Sequence, residues 1–166
     1  MKRQLILVIV LCMLLTGAPA VWSASPAPAV YFSPGVRQHL LERLATTKQT
    51  IDVAMYSFTD SDLAWALVRA AGRGVKVRVY LDRGQAEGRY AKGRFLAQRG
   101  IPVRYYRGEG LMHHKFAVLD GREVITGSYN WTASAEEKNK ENALILKGQE
   151  LAAAYAAEFE RLWQRP

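Results

Sequence analysis

The sequence predicts an α/β fold, a mixed β-sheet flanked by helices on both faces as an α-β-α sandwich. Three observations carry this expectation. Short apolar runs rich in β-branched residues alternate with segments whose apolar residues recur at helical spacing. Two of those runs are joined by a reversal too tight for a crossover, which demands an antiparallel pair. The remaining runs are separated by helices, so the sheet is mixed.

In order, Ser33-Pro34 reads as a helix N-cap followed by proline at the first helical position. Leu40, Leu41 and Leu44 give the stripe of a first helix, and Val36 extends it upstream. His39 lies beside that stripe as a surface or packing residue. Residues 50–58 form a strand in which Ile51, Val53 and Met55 alternate with Asp52, Ala54 and Tyr56. A second helix runs over 62–71 and buries Leu63, Ala66, Leu67 and Ala70, with Gly72 or Gly74 as its stop. Residues 75–81 alternate as a strand and Asp82 ends it. A helix is expected over 85–98, then a strand over 101–105 and a loop over 107–110. Residues 115–120 read as a buried strand, Gly121 and Arg122 as the reversal, and 123–125 as the start of its partner. Residues 132–140 are a loop or short helix, and 142–146 return to a strand. A closing amphipathic helix over 150–163 is expected to bury Leu151, Ala154, Tyr155, Phe159 and Leu162. There is no glycine-rich dinucleotide loop, no Walker-type loop and no internal repeat.

Residues 1–20 have the form of a secretory signal peptide: Lys2 and Arg3, an apolar run over 5–15, then Ala18 and Ala20. The run is shorter than the roughly 20 residues a membrane span needs. Cleavage is expected after Ala20 or Ser23, leaving a leader over 21–30 and a single domain over 31–166. The one cysteine, Cys12, leaves with the signal, so a cysteine nucleophile and a thiolate metal site are excluded. An exported chain without disulfides fits a bacterial periplasm, and a periplasmic or secreted location is expected, with no stable membrane association after cleavage. The 23 basic residues outnumber the 15 acidic ones, a balance that losing Lys2 and Arg3 does not reverse. Such a charge favours polyanions, whether DNA, RNA or anionic lipid heads, and ordinary solubility accounts for it equally well.

The chemistry concentrates between His113 and Asn142. His113 and Lys115 are two apart and share one side of a strand, while alternation turns His114 to the other side, where packing is its expected role. Pairing with the next strand brings Ser128 and Asn130 close to them. An imidazole, a fixed cation, a hydroxyl and an amide together suit an anion with tetrahedral oxygens, for which phosphate is the obvious candidate. Arg83, Arg89, Lys92, Arg94 and Arg99 make the region before this motif basic. It reads as a solvated face or as a rim for a nucleic-acid backbone at Arg83, Arg89, Lys92 and Arg94, to which Tyr90 adds stacking.

The spacing His-x-Lys, four residues, Asp, six residues, Gly-Ser-x-Asn places His113, Lys115, Asp120, Gly127, Ser128 and Asn130 in the pattern of the phospholipase D superfamily. The wording GSYNWT and the pair Glu141-Asn142 strengthen the match. More closely, the chain resembles small exported bacterial members that carry one motif copy, the Nuc-like sugar-nonspecific endonucleases. That resemblance implies the phospholipase D/nuclease fold and hydrolysis of DNA and RNA phosphodiesters through a covalent phosphohistidine. In it, His113 is the nucleophile, and Lys115 and Asn130 hold the nonbridging oxygens with help from Ser128. Glu141 matches the carboxylate that sets the histidine tautomer, while Asp120 and Gly127 serve structure. One motif copy supplies one histidine of a required pair. The resemblance therefore implies a twofold homodimer in which His113 of the partner subunit is the general acid and base, with Trp131 contributing to the interface. No carboxylate cluster has metal-ligand spacing, so neither a metal nor another cofactor is expected. A phospholipase D-type phosphodiesterase acting on lipid head groups and a catalytically silent nucleic-acid-binding module stand as alternatives.

Overall fold

A computed structural model describes residues 27–165. Its strands are β1 (Ala29–Phe32), β2 (Thr50–Met55), β3 (Lys76–Asp82), β4 (Val103–Tyr106), β5 (Lys115–Leu119), β6 (Glu123–Gly127) and β7 (Asn142–Lys147). Its helices are α1 (Val36–Thr46), α2 (Ser61–Gly72), α3 (Arg83–Ala86), α4 (Gly93–Ala97), α5 (Ala133–Glu137) and α6 (Gln149–Trp163). The seven strands form one sheet in the order β1-β7-β6-β5-β2-β3-β4. The β2-β3-β4 side is parallel, built by helical crossovers, and every other pair is antiparallel. This is the expected mixed sheet.

The pleat divides the core into two layers. Ile51, Val53, Val79 and Ala117 face Leu40 and Leu44 of α1 and Leu63 and Leu67 of α2, all buried. Ala54, Tyr80, Phe116, Val118 and Val124 face the opposite way and meet Ala152, Phe159 and Leu162 of α6. Each fully buried aliphatic or aromatic side chain contributes roughly 1.5–3 kcal/mol, so the two layers hold the sheet from both faces. Arg78 of β3 fastens α6 down: it binds Asp52 of β2 at 2.7 and 2.9 Å and Glu160 of α6 at 2.6 Å. Asp52, one of the alternating positions of this strand, is half of this clasp.

Several local expectations change. Ser33 and Pro34 do not begin α1. Gly35 stands at its N-cap with φ 114°, and the Glu136 carboxylate of α5 accepts the free N–H groups of Gly35 at 2.6 Å and Arg37 at 3.0 Å. The helix end is thus satisfied from across the fold rather than by a local hydroxyl. The helix expected over 85–98 is broken into α3 and α4. Asp82 caps α3 through the Gln85 N–H, while the backbone between the two helices is pinned by Lys92 N–H donating to Phe58 O at 2.9 Å. The hairpin reverses over Asp120, Gly121 and Arg122, one residue more than read, and Asp120 and Gly121 both have positive φ (51° and 61°). In α6, Leu151 and Ala154 face solvent, because Ala152, Phe159 and Leu162 form the buried stripe. The first strand starts at Ala29, inside the segment read as leader. The proposed signal peptide and its cleavage sites lie outside the described residues. Among the described residues, no helix is long and apolar enough to cross a membrane.

Candidate active site

Register brings the motif to one end of the sheet. Met55, the last residue of β2, pairs with Lys115, the first of β5. Gly127 at the end of β6 pairs with Ala143 at the start of β7, and Phe32 at the end of β1 pairs with Asn142. The C-terminal ends of β3 and β4 lie at this end too, since both run parallel to β2. The loop from β4 to β5 therefore delivers His113 to it.

His113 is exposed, with the Tyr56 ring edge-on at 4.4 Å. Lys115 Nζ donates to the His113 carbonyl at 2.9 Å and stands 3.3 Å from His113 Nε2. An ammonium has donors only, so in this contact Nε2 is the acceptor. Lys115 also sits over the Tyr56 ring at 4.9 Å. Partial burial pulls the Lys115 pKa below that of an ordinary lysine, an effect the Glu141 charge opposes without overcoming. His114 points the other way, to Glu158 of α6 at 3.2 Å.

The bend after β6 supplies the polar wall. Gly127 has φ 146°, and a Cβ there would meet the Asn142 carbonyl oxygen at 2.3 Å, so only glycine lets the two strands close. Ser128 Oγ donates to Glu141 Oε2 at 2.5 Å and accepts the Asn142 N–H at 3.1 Å. Glu141 takes a second bond from Asn139 Nδ2 at 2.8 Å. Within this chain the Glu141 carboxylate thus holds Ser128 and Asn139 and makes no hydrogen bond to His113. Asn130 Oδ1 accepts the Ser57 N–H at 3.3 Å, which leaves the amide's N–H donors available to a ligand.

Asp120 lies at the opposite end of β5, apart from the imidazole. Its carboxylate accepts the N–H groups of Lys48, Gln49 and Thr50 at 3.0, 2.7 and 3.0 Å. Burial would raise its pKa, but these three donors win and hold it below the usual carboxylate range. A cavity of about 480 Å³ beside Asp120 and Arg122 is at this far end and includes none of the motif's imidazole, lysine or amide.

The basic residues before the motif have local partners of their own. Arg83 pairs with Glu87 at 3.3 Å, Arg89 lies over Tyr90 at 5.7 Å and Lys92 over Phe95 at 6.0 Å. Arg94 shares a separate cavity with Arg83 and Arg107. His39 is stacked on Tyr31 at 3.7 Å. Trp131 is 1% exposed and packs on Phe58, so it is core and offers no interface. Two site residues escaped the sequence reading. Tyr56 was one alternating strand position among several, and only the register with β5 puts its ring on His113. Asp82 looked like a strand terminator, yet its buried carboxylate accepts the Met112 N–H at 3.1 Å and so anchors the backbone next to His113.

The family model described as "Cardiolipin synthase, PLD-like domain" matches residues 40–163. A mitochondrial cardiolipin hydrolase of Xenopus tropicalis is 40% identical over 125 residues, 75% of this chain and 60% of the relative. The Homo sapiens protein of the same name is 37% identical over 126 residues, 76% of this chain and 50% of its own length. The chain therefore spans about half to three fifths of these curated relatives. Among solved structures, Nuc from Salmonella typhimurium, titled a phospholipase D family member, superposes with TM-score 0.78 at 32% identity, covering 84% of this chain and 96% of that one.

These findings correct the finer expectations. The fold is indeed that of Nuc, but sequence kinship runs to proteins named cardiolipin hydrolases, a name borne by seven relatives. This overturns the assignment to exported bacterial endonucleases and the DNA and RNA substrates. The mitochondrial designation of the same relatives overturns the periplasmic or secreted location and the export reading of residues 1–20. The twofold homodimer, inferred from the endonuclease resemblance, is withdrawn with it. What stands is the superfamily: the chain belongs to the phospholipase D-like family.

Proposed function

We propose that the chain hydrolyses a phosphodiester bond of a glycerophospholipid, with cardiolipin, the lipid named in its relatives, as the preferred class. The observation that carries the reading is the 40% identity to a cardiolipin hydrolase over 125 residues. The surface supports it. Leu111 borders the His113 cavity at 62% exposure, and Phe32 is 69% exposed at the same end of the sheet. Apolar tips around a polar phosphate site suit a headgroup presented from a lipid surface.

In this reading His113 Nε2 is the nucleophile. Before substrate binds, its lone pair faces Lys115 Nζ. An entering phosphate offers that ammonium a stronger acceptor, which frees Nε2 for attack. Lys115 and the Asn130 amide neutralise the nonbridging oxygens as charge builds on them. Glu141 fixes Ser128, and Ser128 in turn holds the Asn142 backbone, so the bend that carries Asn130 is rigid before substrate arrives. The P–N bond forms as the bond from phosphorus to the leaving glycerol oxygen breaks, and that oxygen takes a proton from solvent water. A water then attacks phosphorus, the P–N bond breaks with its electron pair returning to Nε2, and the attacking water gives up one proton to solvent, so one water is consumed per turnover. Lys115 supplies the positive charge, and among the described residues no group of three or more His, Cys, Asp or Glu offers a metal ligand set.

The test is hydrolysis of cardiolipin in mixed micelles with excess EDTA, followed by separation of the lipid products. Phosphatidic acid and phosphatidylglycerol are expected, and His113→Ala should lower the rate by about 10³-fold or more while the fold is retained. Intact cardiolipin after prolonged incubation with folded wild-type protein contradicts the reading.

A further inference from the structure

The chain that follows α3 carries charge and aromatic surface that the hydrolytic chemistry does not use. Residues 88–100 hold Arg89, Lys92, Arg94 and Arg99 and no acidic residue. Tyr90 is 69% exposed, with the Arg89 guanidinium 5.7 Å from its ring centroid. Further along, Phe95 of α4 meets Trp65 of α2 edge-on at 5.2 Å, and Trp65 stays 43% exposed. Arg99 lies over Phe95 at 3.7 Å and over Trp65 at 4.9 Å, steadied by its own bond to the Phe95 carbonyl at 3.1 Å. Lys92 stands 6.0 Å from the same Phe95 ring. A π-face orients a cation without neutralising it, so these charges remain for an anion to meet.

This stretch is tied to the catalytic end of the sheet. The Lys92 N–H donates to the Phe58 carbonyl at 2.9 Å. Phe58 continues directly from Tyr56, whose ring meets His113, and from Ser57, whose N–H donates to Asn130. Asp82 makes a second link: one carboxylate oxygen caps α3 through the Gln85 N–H, and the other accepts the Met112 N–H next to His113. The basic stretch therefore keeps a fixed bearing on the nucleophile. We propose that residues 88–100, with Trp65, form the surface by which the chain settles on a bilayer rich in anionic phospholipid. Arginine and lysine draw a protein to an anionic leaflet, and the charge here is complementary to one. Tyrosine and tryptophan rings, apolar in body and polar at the tip, suit the headgroup layer. The same groups would suit single-stranded nucleic acid, and the choice of a lipid partner rests on the phospholipase reading above.

The experiment is co-sedimentation of the full chain with vesicles of phosphatidylcholine, alone or mixed with phosphatidylglycerol. All proteins carry His113→Ala so that the lipid stays intact, and circular dichroism confirms the fold. The parent should bind the anionic vesicles and bind the neutral ones far less. Arg89→Glu/Arg94→Glu should weaken binding to the anionic vesicles about tenfold or more, and Tyr90→Ser should cause a smaller loss. The control is Lys48→Glu/Lys76→Glu, which makes the same change of net charge at two exposed lysines at the opposite end of the sheet. It should bind as the parent does. An equal loss in the control means general charge attraction and overturns the surface, as does an unchanged affinity in Arg89→Glu/Arg94→Glu or in Tyr90→Ser. An oligonucleotide that displaces the vesicles, and whose own binding is lost in Arg89→Glu/Arg94→Glu, would assign these residues to nucleic acid and also overturn it. Cardiolipin hydrolysis by the wild-type chain is measured alongside. The expected binding pattern without any lipid cleavage removes the phospholipase reading and leaves the surface, whereas cleavage without that pattern removes the surface alone.

Discussion

At the residue scale, the site turns on the contact between the Lys115 ammonium and the His113 ring. Lys115 can stand against His113 Nε2 because the lone pair of that nitrogen faces it, and burial makes the ammonium easier to deprotonate than that of an ordinary lysine. Its charge is therefore lost at a lower pH than the usual lysine value of about 10.4. The alkaline limb of the rate profile should begin below that value. Lys115→Arg should move the limb upward at reduced kcat, since a guanidinium keeps its charge but has a different reach. A pH profile of kcat checks this. Asp120 makes the opposite kind of statement. Its folded pKa is depressed, so it contributes stability above its unfolded value near 3.9, and that contribution is lost as pH falls through the folded value. Asp120→Asn should cost about 2 kcal/mol at neutral pH and shrink the loss of stability on acidification, as read by urea titrations at pH 7 and pH 3.

At the element scale, the motif works because β5 and β6 form a hairpin with its two ends given different tasks. The open end carries His113, Lys115, Ser128 and Asn130, while the closed end carries Asp120, which ties the hairpin to the entry of β2 through three backbone donors. Much of this was legible in the sequence. The pairing followed from the tight reversal, and the facing of His113, His114 and Lys115 followed from strand alternation. Helix ends were less legible, because α1 is capped by Glu136 from a segment a hundred residues downstream, which no local pattern can show. The broken helix at α3 and α4 was misread for a related reason: its course is set by Phe58 and by the packing of Gly93 on Tyr105. The stripe of α6 was misphased by its many alanines, which carry little periodic signal. Phe159, by contrast, was read as core, and its ring is buried beneath Arg78 with Trp163 stacked 5.5 Å away. Phe159→Ala should destabilise the fold by about 3–5 kcal/mol, measured by thermal or urea unfolding. The loss should be shared with the Arg78 clasp on Glu160, because both fasten the same helix.

At the scale of the whole molecule, the fold and the superfamily were readable but the substrate was not. A basic chain with a phosphate site fits a nucleic-acid backbone and an anionic lipid equally well, since each presents the same tetrahedral anion. The curated relatives named for a lipid favour the second, and Leu111 and Phe32 stand exposed at the same end of the sheet as His113.

The most direct measurement is a rapid acid-free quench of wild-type protein mixing with cardiolipin, followed by peptide mass analysis. The account predicts a phosphatidyl group on His113 that forms and decays within a turnover, is stable to base and labile to acid, and is missing in His113→Ala. Steady-state hydrolysis with the adduct on another residue, or undiminished hydrolysis by folded His113→Ala, would contradict it.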